Sequence, residues 1–138
     1  MKKKTVLFVC VGNSGRSLMA EAFFEQVSKT WTAASAGIKP DEKIHPWTVE
    51  VMKEIGINMS QRRPKLLDSE MLKEADRIVA MDSDVVKQMP PEHLLRTENW
   101  NISPLLGKRM EEVKQIRDAI KKKVQQLLTE IETSGSSF

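Results

Sequence analysis

Strand-like and helix-like runs alternate along this chain, and that alternation limits its fold more than any other feature. TVLFVC (5–10) is β-branched and aromatic, the pattern of a fully buried strand. SLMAEAFFEQVSK (17–29) is rich in helix formers and puts Leu18, Met19, Ala22 and Phe23 on one face. WTAASAG (31–37) reads as a short strand ended by Gly37. HPWTVEVMKEIG (45–56) has Pro46 where the first helical turn tolerates it and Gly56 just past the end. DSEMLKEA (68–75) follows as a short helix capped by Asp68 or Ser69, then DRIVAM (76–81) as a third apolar strand. DSDVVKQM (82–89) is another short helix, and RTENW (96–100) reads as a fourth, edge-like strand. From Met110, apolar residues recur at Val113, Ile116, Ile120, Val124, Leu127, Leu128 and Ile131 with Lys and Glu between them, a long helix packed on one face.

Strands alternating with helices imply a parallel sheet covered on both faces, a small doubly wound α/β domain. In such folds ligands bind at the carboxyl ends of strands, near the switch in strand order. The chain has 138 residues and 40% hydrophobic content, which suits one domain over residues 1–132. The tail TSGSSF (133–138) has the composition of a disordered segment.

Composition also excludes several classes. No apolar run is long enough for a membrane span. The start MKKKTVLFVC superficially resembles a signal peptide, but a Gly/Asn/Ser loop and a polar helix follow it, so it reads as the first strand. One cysteine rules out an internal disulfide framework and fits a reducing, cytoplasmic setting. The +3 formal charge permits anionic ligands, yet the lysines are spread over helix faces without interleaved aromatics. Neither nucleic acid nor membrane is therefore an expected partner.

The chemistry concentrates in CVGNSGRS (10–17), between the first strand and the first helix. Gly12 and Gly15 tolerate positive φ, and Asn13 is among the few other residues that visit the left-handed region. A loop of this kind turns the N–H groups of Val11, Gly12, Asn13, Ser14, Gly15 and Arg16 into an anion nest, to which the helix adds its positive end. Arg16 closes the ring with a planar fork suited to two oxygens of a tetrahedral oxyanion. The same field favours the thiolate form of Cys10, and Ser17 either donates to that sulfur or caps the helix. A lone cysteine at a strand end is often only a small hydrophobe. Five residues between Cys10 and Arg16, with glycines inside the loop, point instead to a nucleophile aimed into an oxyanion cradle.

VLFVCVGNSGRSLMAEA (6–22) resembles the low-molecular-weight protein tyrosine phosphatases and the related arsenate reductases. The likeness continues through SAG (35–37), HPWTVEVMKEIGINMSQRRPKLL (45–67), DRIVAMD (76–82) and ENWNISPLLGKRMEEVKQIRDAIKKKV (98–124). It implies a four-stranded parallel sheet with Cys10 as nucleophile, Arg16 as oxyanion clamp, Asn13 holding the loop and Ser17 tuning the thiolate. Three departures stand out. Gly15 occupies the position before the loop arginine, where the family often has a second cysteine. MDSDVV (81–86) lacks the cysteines that reductases with an internal disulfide relay carry after the third strand, so any reduction needs an external thiol. Ser103-Pro104 stands near the family's Asp-Pro, whose aspartate protonates the leaving group.

Three carboxylates are candidates for that missing acid: Asp82, taken as the catalytic one, Asp84, and Glu98 reaching in from a loop. For Asp82 and Asp84 the competing role is to start a helix, where acidic residues favour the dipole. His45 reads as part of a turn and His93 as part of a loop, and with one distant cysteine they make a poor metal site. Arg62, Arg63 and Lys65 read as a solvated basic loop. With no tyrosine in the chain, Trp47 or Trp100 is left to wall the cleft, and core is the competing reading for either.

The expected function is a cysteine-dependent phosphatase that acts on phosphate monoesters such as protein phosphotyrosine through a cysteinyl-phosphate intermediate, with no metal or organic cofactor. The alternatives are an arsenate reductase using an external thiol or redoxin, and an oxyanion-binding protein without turnover.

Overall fold

The computed structural model describes residues 3–136, with side chains described through Thr133. Four parallel strands, β1 (Lys4–Cys10), β2 (Trp31–Gly37), β3 (Arg77–Ala80) and β4 (Thr97–Asn99), form one sheet in the order β2-β1-β3-β4. Between and after them lie α1 (Arg16–Val27), α2 (Pro46–Glu54), α3 (Ser69–Glu74), α4 (Ser83–Lys87) and α5 (Met110–Ser136). Residues Pro91–Arg96, around the His93 read from sequence as part of a loop, form a 3-10 turn that opens on Pro91. Among the described residues no helix is long and apolar enough to cross a membrane.

The two faces of β1 show why its sequence is apolar throughout. Val6, Phe8 and Cys10 join the cluster formed with α1, α2 and α5, whereas Leu7 and Val9 join the one formed with α3 and α4. A strand buried on both faces has no polar side to alternate with. The α5 stripe from Val113 to Ile131 is buried as its spacing requires. Each fully buried side chain of this kind contributes about 1.5–3 kcal/mol.

Local signals set the helix ends. His45 caps α2 through Nδ1, Pro46 opens it, and Gly56 past its end sits at φ +84°. Asp68 caps α3 and Asp82 caps α4, each accepting an amide of the first turn. Helix α5 runs on through Ser136, into the segment that composition assigns to a tail; residues 137 and 138 lie outside the described residues.

The topology places the site. From β1 the chain moves outward to β2, and from β3 it moves outward the other way to β4. The loops that leave the adjacent ends of β1 and β3 therefore diverge and open a crevice between them. Cys10 ends β1, and Asp82 follows β3 by two residues.

Candidate active site

Residues 10–16 line a cleft of about 370 Å³ together with Asp41, His45, Asp82, Asp84, Pro104, Leu105 and Leu106. Cys10 sits at its floor, 3% exposed. Its Sγ lies 2.8 Å from Ser17 Oγ and accepts the Asn13 amide N–H at 3.2 Å. Asn13 Nδ2 donates to the same Ser17 Oγ at 2.7 Å, while Asn13 Oδ1 accepts the Lys65 amide at 2.8 Å. The Lys65 bond fixes which end of the Asn13 amide faces Ser17, and Ser17 is left with its own proton to give to sulfur. Asn13 takes φ +49° and is fully buried, the left-handed turn expected of it.

An outer segment orients the loop. Ile38, Lys39 and Asp41 donate their amides to the carbonyls of Cys10, Val11 and Gly12 at 3.2, 2.9 and 2.9 Å. The carbonyl of Ser14 accepts both the His45 amide and the Thr48 hydroxyl, each at 2.9 Å. Gly15 gives its carbonyl to the Met19 amide in the first turn of α1. With its carbonyls turned out to residues 38–48 and α1, the loop presents its amide side to the cleft, the polarity an anion requires.

Arg16, 6% exposed, reaches across the cleft floor. Its Nη1 donates to Asp82 Oδ2 and to the Ile102 carbonyl, each at 2.7 Å. Both bonds use Nη1, so among the described residues the other donors of the fork remain for an oxyanion. Burial opposes ionisation of Asp82, but the Arg16 guanidinium and the Val85 amide outweigh it and hold the carboxyl below its ordinary value.

Several side chains fall elsewhere than the sequence implied. Glu98 lies on edge strand β4, bonded to Arg77 at 2.8 Å and to Trp100 Nε1 at 3.1 Å, and does not reach the cleft. Trp100 is core, stacked at a tilt on Phe8 with centroids 5.6 Å apart, and Trp47 is not among the lining residues. Ser103 lines a separate groove against α5, with Lys108 and Glu112. Arg62, read as part of a solvated basic loop, pairs with Glu25 at 2.7 Å and does not line the cleft. His45, read as a turn residue, forms part of the cleft wall. Asp84 does line the cleft.

Other contacts come from outside the loop itself. Ser14 Oγ donates to the Asp41 carboxylate, an exposed residue in the loop after β2. A Cβ on Gly37 would stand 2.7 Å from the Val11 carbonyl oxygen and 3.0 Å from the Asn13 amide, so the end of β2 must be glycine for the loop to pass it. At Gly15 a Cβ would stand 2.5 Å from Leu105 Cδ1. Leu105 thus fills the space that a residue-15 side chain would take.

Comparison with known proteins agrees with this geometry. Residues 5–137 match the family described as low molecular weight phosphotyrosine protein phosphatase. The chain is 35% identical over 130 residues to arsenate reductase 1 of Staphylococcus haemolyticus, covering 91% of this chain and 96% of that one. The low molecular weight protein tyrosine phosphatase from T. tengcongensis superposes with a TM-score of 0.84 at 30% identity, over 93% of this chain and 99% of that one. The YwlE arginine phosphatase from Geobacillus stearothermophilus superposes with a TM-score of 0.88 at 26% identity, over 97% and 96% of the two chains. With a buried cysteine at the end of β1 and relatives matched over nearly its whole length, this chain belongs to the low molecular weight protein tyrosine phosphatase and arsenate reductase family and is an enzyme with a cysteine nucleophile.

Proposed function

We propose that this protein reduces arsenate to arsenite at the expense of an external thiol. The observation that carries this reading is the Arg16–Asp82 pair. An ionised carboxylate bonded to the oxyanion clamp has no proton to give, and Ser103 lies in another groove. A substrate that carries its own acidic protons suits such a site better than an ester with a poor leaving group, and arsenate is one. The 35% identity to a staphylococcal arsenate reductase supports the same order and reverses the ranking drawn from sequence.

In the first step the amides of residues 11–16 and the Arg16 fork hold three arsenate oxygens while Cys10 Sγ attacks arsenic. Thiol and arsenate condense to a cysteinyl arsenate, and the fourth oxygen leaves as water with protons from arsenate and the thiol. An external thiolate then attacks Cys10 Sγ. The S–As electron pair stays on arsenic, which departs as arsenite, and a mixed disulfide remains on Cys10. A second external thiol attacks the sulfur of the first, forms a disulfide with it and releases Cys10 as the thiolate. Two thiols become one disulfide as As(V) becomes As(III), so the electrons balance. The chain has one cysteine, so the disulfide partner must come from outside. Asp82 acts in this scheme by holding Arg16 in position, and Ser17 and Asn13 solvate the Cys10 thiolate as it attacks and departs.

A second reading, a phosphomonoesterase, is favoured by Asp84, a cleft-lining carboxylate in the first turn of α4 that could serve as acid. The two are separated with one preparation and its Cys10→Ser variant. Arsenite formation that needs both thiol and Cys10 supports the reductase. Hydrolysis of aryl phosphates that stays fast for poor leaving groups and is lost in Asp84→Asn supports the phosphatase.

A further inference from the structure

The three equatorial oxygens of a bound oxyanion lie in the loop, and the leaving oxygen points away from Cys10 toward the mouth of the cleft. His45 lines the same cleft. Its backbone amide is tied to the Ser14 carbonyl at 2.9 Å, so the residue is fixed to the loop itself. Its Nδ1 accepts the Trp47 amide at 3.1 Å as the cap of α2. A nitrogen that accepts an N–H cannot carry a proton of its own. The ring N–H is therefore the one on Nε2. Among the described residues Nε2 has no hydrogen-bond partner.

We infer that His45 is a substrate-contacting residue that donates its Nε2–H to the outward-facing oxygen of the bound oxyanion, the one that leaves. It acts as a hydrogen-bond donor, stabilising charge on that oxygen without transferring a proton. The inference rests on the oxyanion-cradle reading of the cleft and holds for arsenate or a phosphate ester alike.

Inorganic vanadate tests it, because bound vanadate becomes five-coordinate with Cys10 at one apex and an oxygen at the other, as in the transition state. Asn and Ser are good helix caps, so His45→Asn and His45→Ser keep the Trp47 amide partnered while removing the Nε2 donor. Both are expected to bind vanadate about tenfold more weakly than wild type, at an unchanged melting temperature. His45→Gln offers an amide donor on a longer side chain but a poor cap, and is expected to recover most of the vanadate affinity while melting earlier. Vanadate affinity within twofold of wild type in His45→Asn overturns the proposal, as does affinity that follows melting temperature across all three variants. Wild-type protein that binds no vanadate overturns it together with the cradle. Vanadate binding needs neither thiol nor turnover, so the result is independent of whether the protein reduces arsenate.

Discussion

Asp82 Oδ2 lies 2.7 Å from Arg16 Nη1, so the arginine that ends the 10–16 loop after β1 is held by the cap of the helix after β3. One carboxylate starts α4 through the Val85 amide and orients the guanidinium through its other oxygen. The two divergent loops of the switch point are thereby joined into one site.

This pairing sets a sign for acid stability. The Asp82 carboxyl is held below its ordinary value, so its contribution is complete above the unfolded value of about 3.9 and is lost as pH falls through the folded one. Thermal melts between pH 2 and pH 5 are expected to show wild type losing more stability with falling pH than Asp82→Asn. Parallel curves would contradict it.

Glu21 carries the opposite sign. It is buried on α1 beneath the loop, with Ser35 Oγ donating to it at 2.6 Å, and burial raises its carboxyl above the ordinary value despite that bond and the nearby Lys65 and Arg62. The native state then binds the extra proton, and stability falls as pH rises from the unfolded value through the folded one. Glu21→Gln removes this ionisation, so its melting temperature is expected to stay level across the range in which wild type declines. A wild-type curve that rises there would reverse the assignment.

Gly37 and the loop cannot both keep their positions if residue 37 has a side chain. Gly37→Ala puts a methyl 2.7 Å from the Val11 carbonyl oxygen, a backbone atom that cannot swing aside. Overpacking of this kind typically costs about 1–3 kcal/mol, expected here as a lower urea midpoint. The displaced atoms belong to the cradle, so phosphate affinity is expected to fall as well. Unchanged binding would show that the loop does not depend on this contact.

Leu105 and residue 15 compete for one space, which a double-mutant cycle reads directly. Gly15→Ala is expected to destabilise because its Cβ meets Leu105 Cδ1 at 2.5 Å, and Leu105→Ala to destabilise by leaving a cavity. The double variant is expected to be more stable than the sum of the two by about 1 kcal/mol. Strict additivity would mean that the loop moves instead of Leu105.

The order of elements was legible because buried strands and capped helices leave local signals: TVLFVC, Pro46, Gly56, and the Asp68 and Asp82 caps. The loop was legible because nucleophile, turn residues and clamp lie within eight positions of one another. What could not be read is whatever the fold brings in from a distance. Asp41 and His45 face the cleft only because residues 38–48 run along the loop and bond its carbonyls, a register no short motif encodes. Glu98 was misplaced for the same reason: its position on β4 turns it toward Arg77. Asp82 takes the helix-cap role through Oδ1, and its other oxygen is bonded to Arg16, which opposes the acid role expected of it.

The most direct test of the proposed chemistry is the mass of Cys10 after mixing the protein with arsenate and a limiting small thiol. The expected result is one thiol added to Cys10 as a mixed disulfide, only when arsenate is present, with one arsenite released per adduct. Arsenite formed equally well by Cys10→Ser, or arsenate consumed with no thiol ever found on Cys10, would contradict the mechanism.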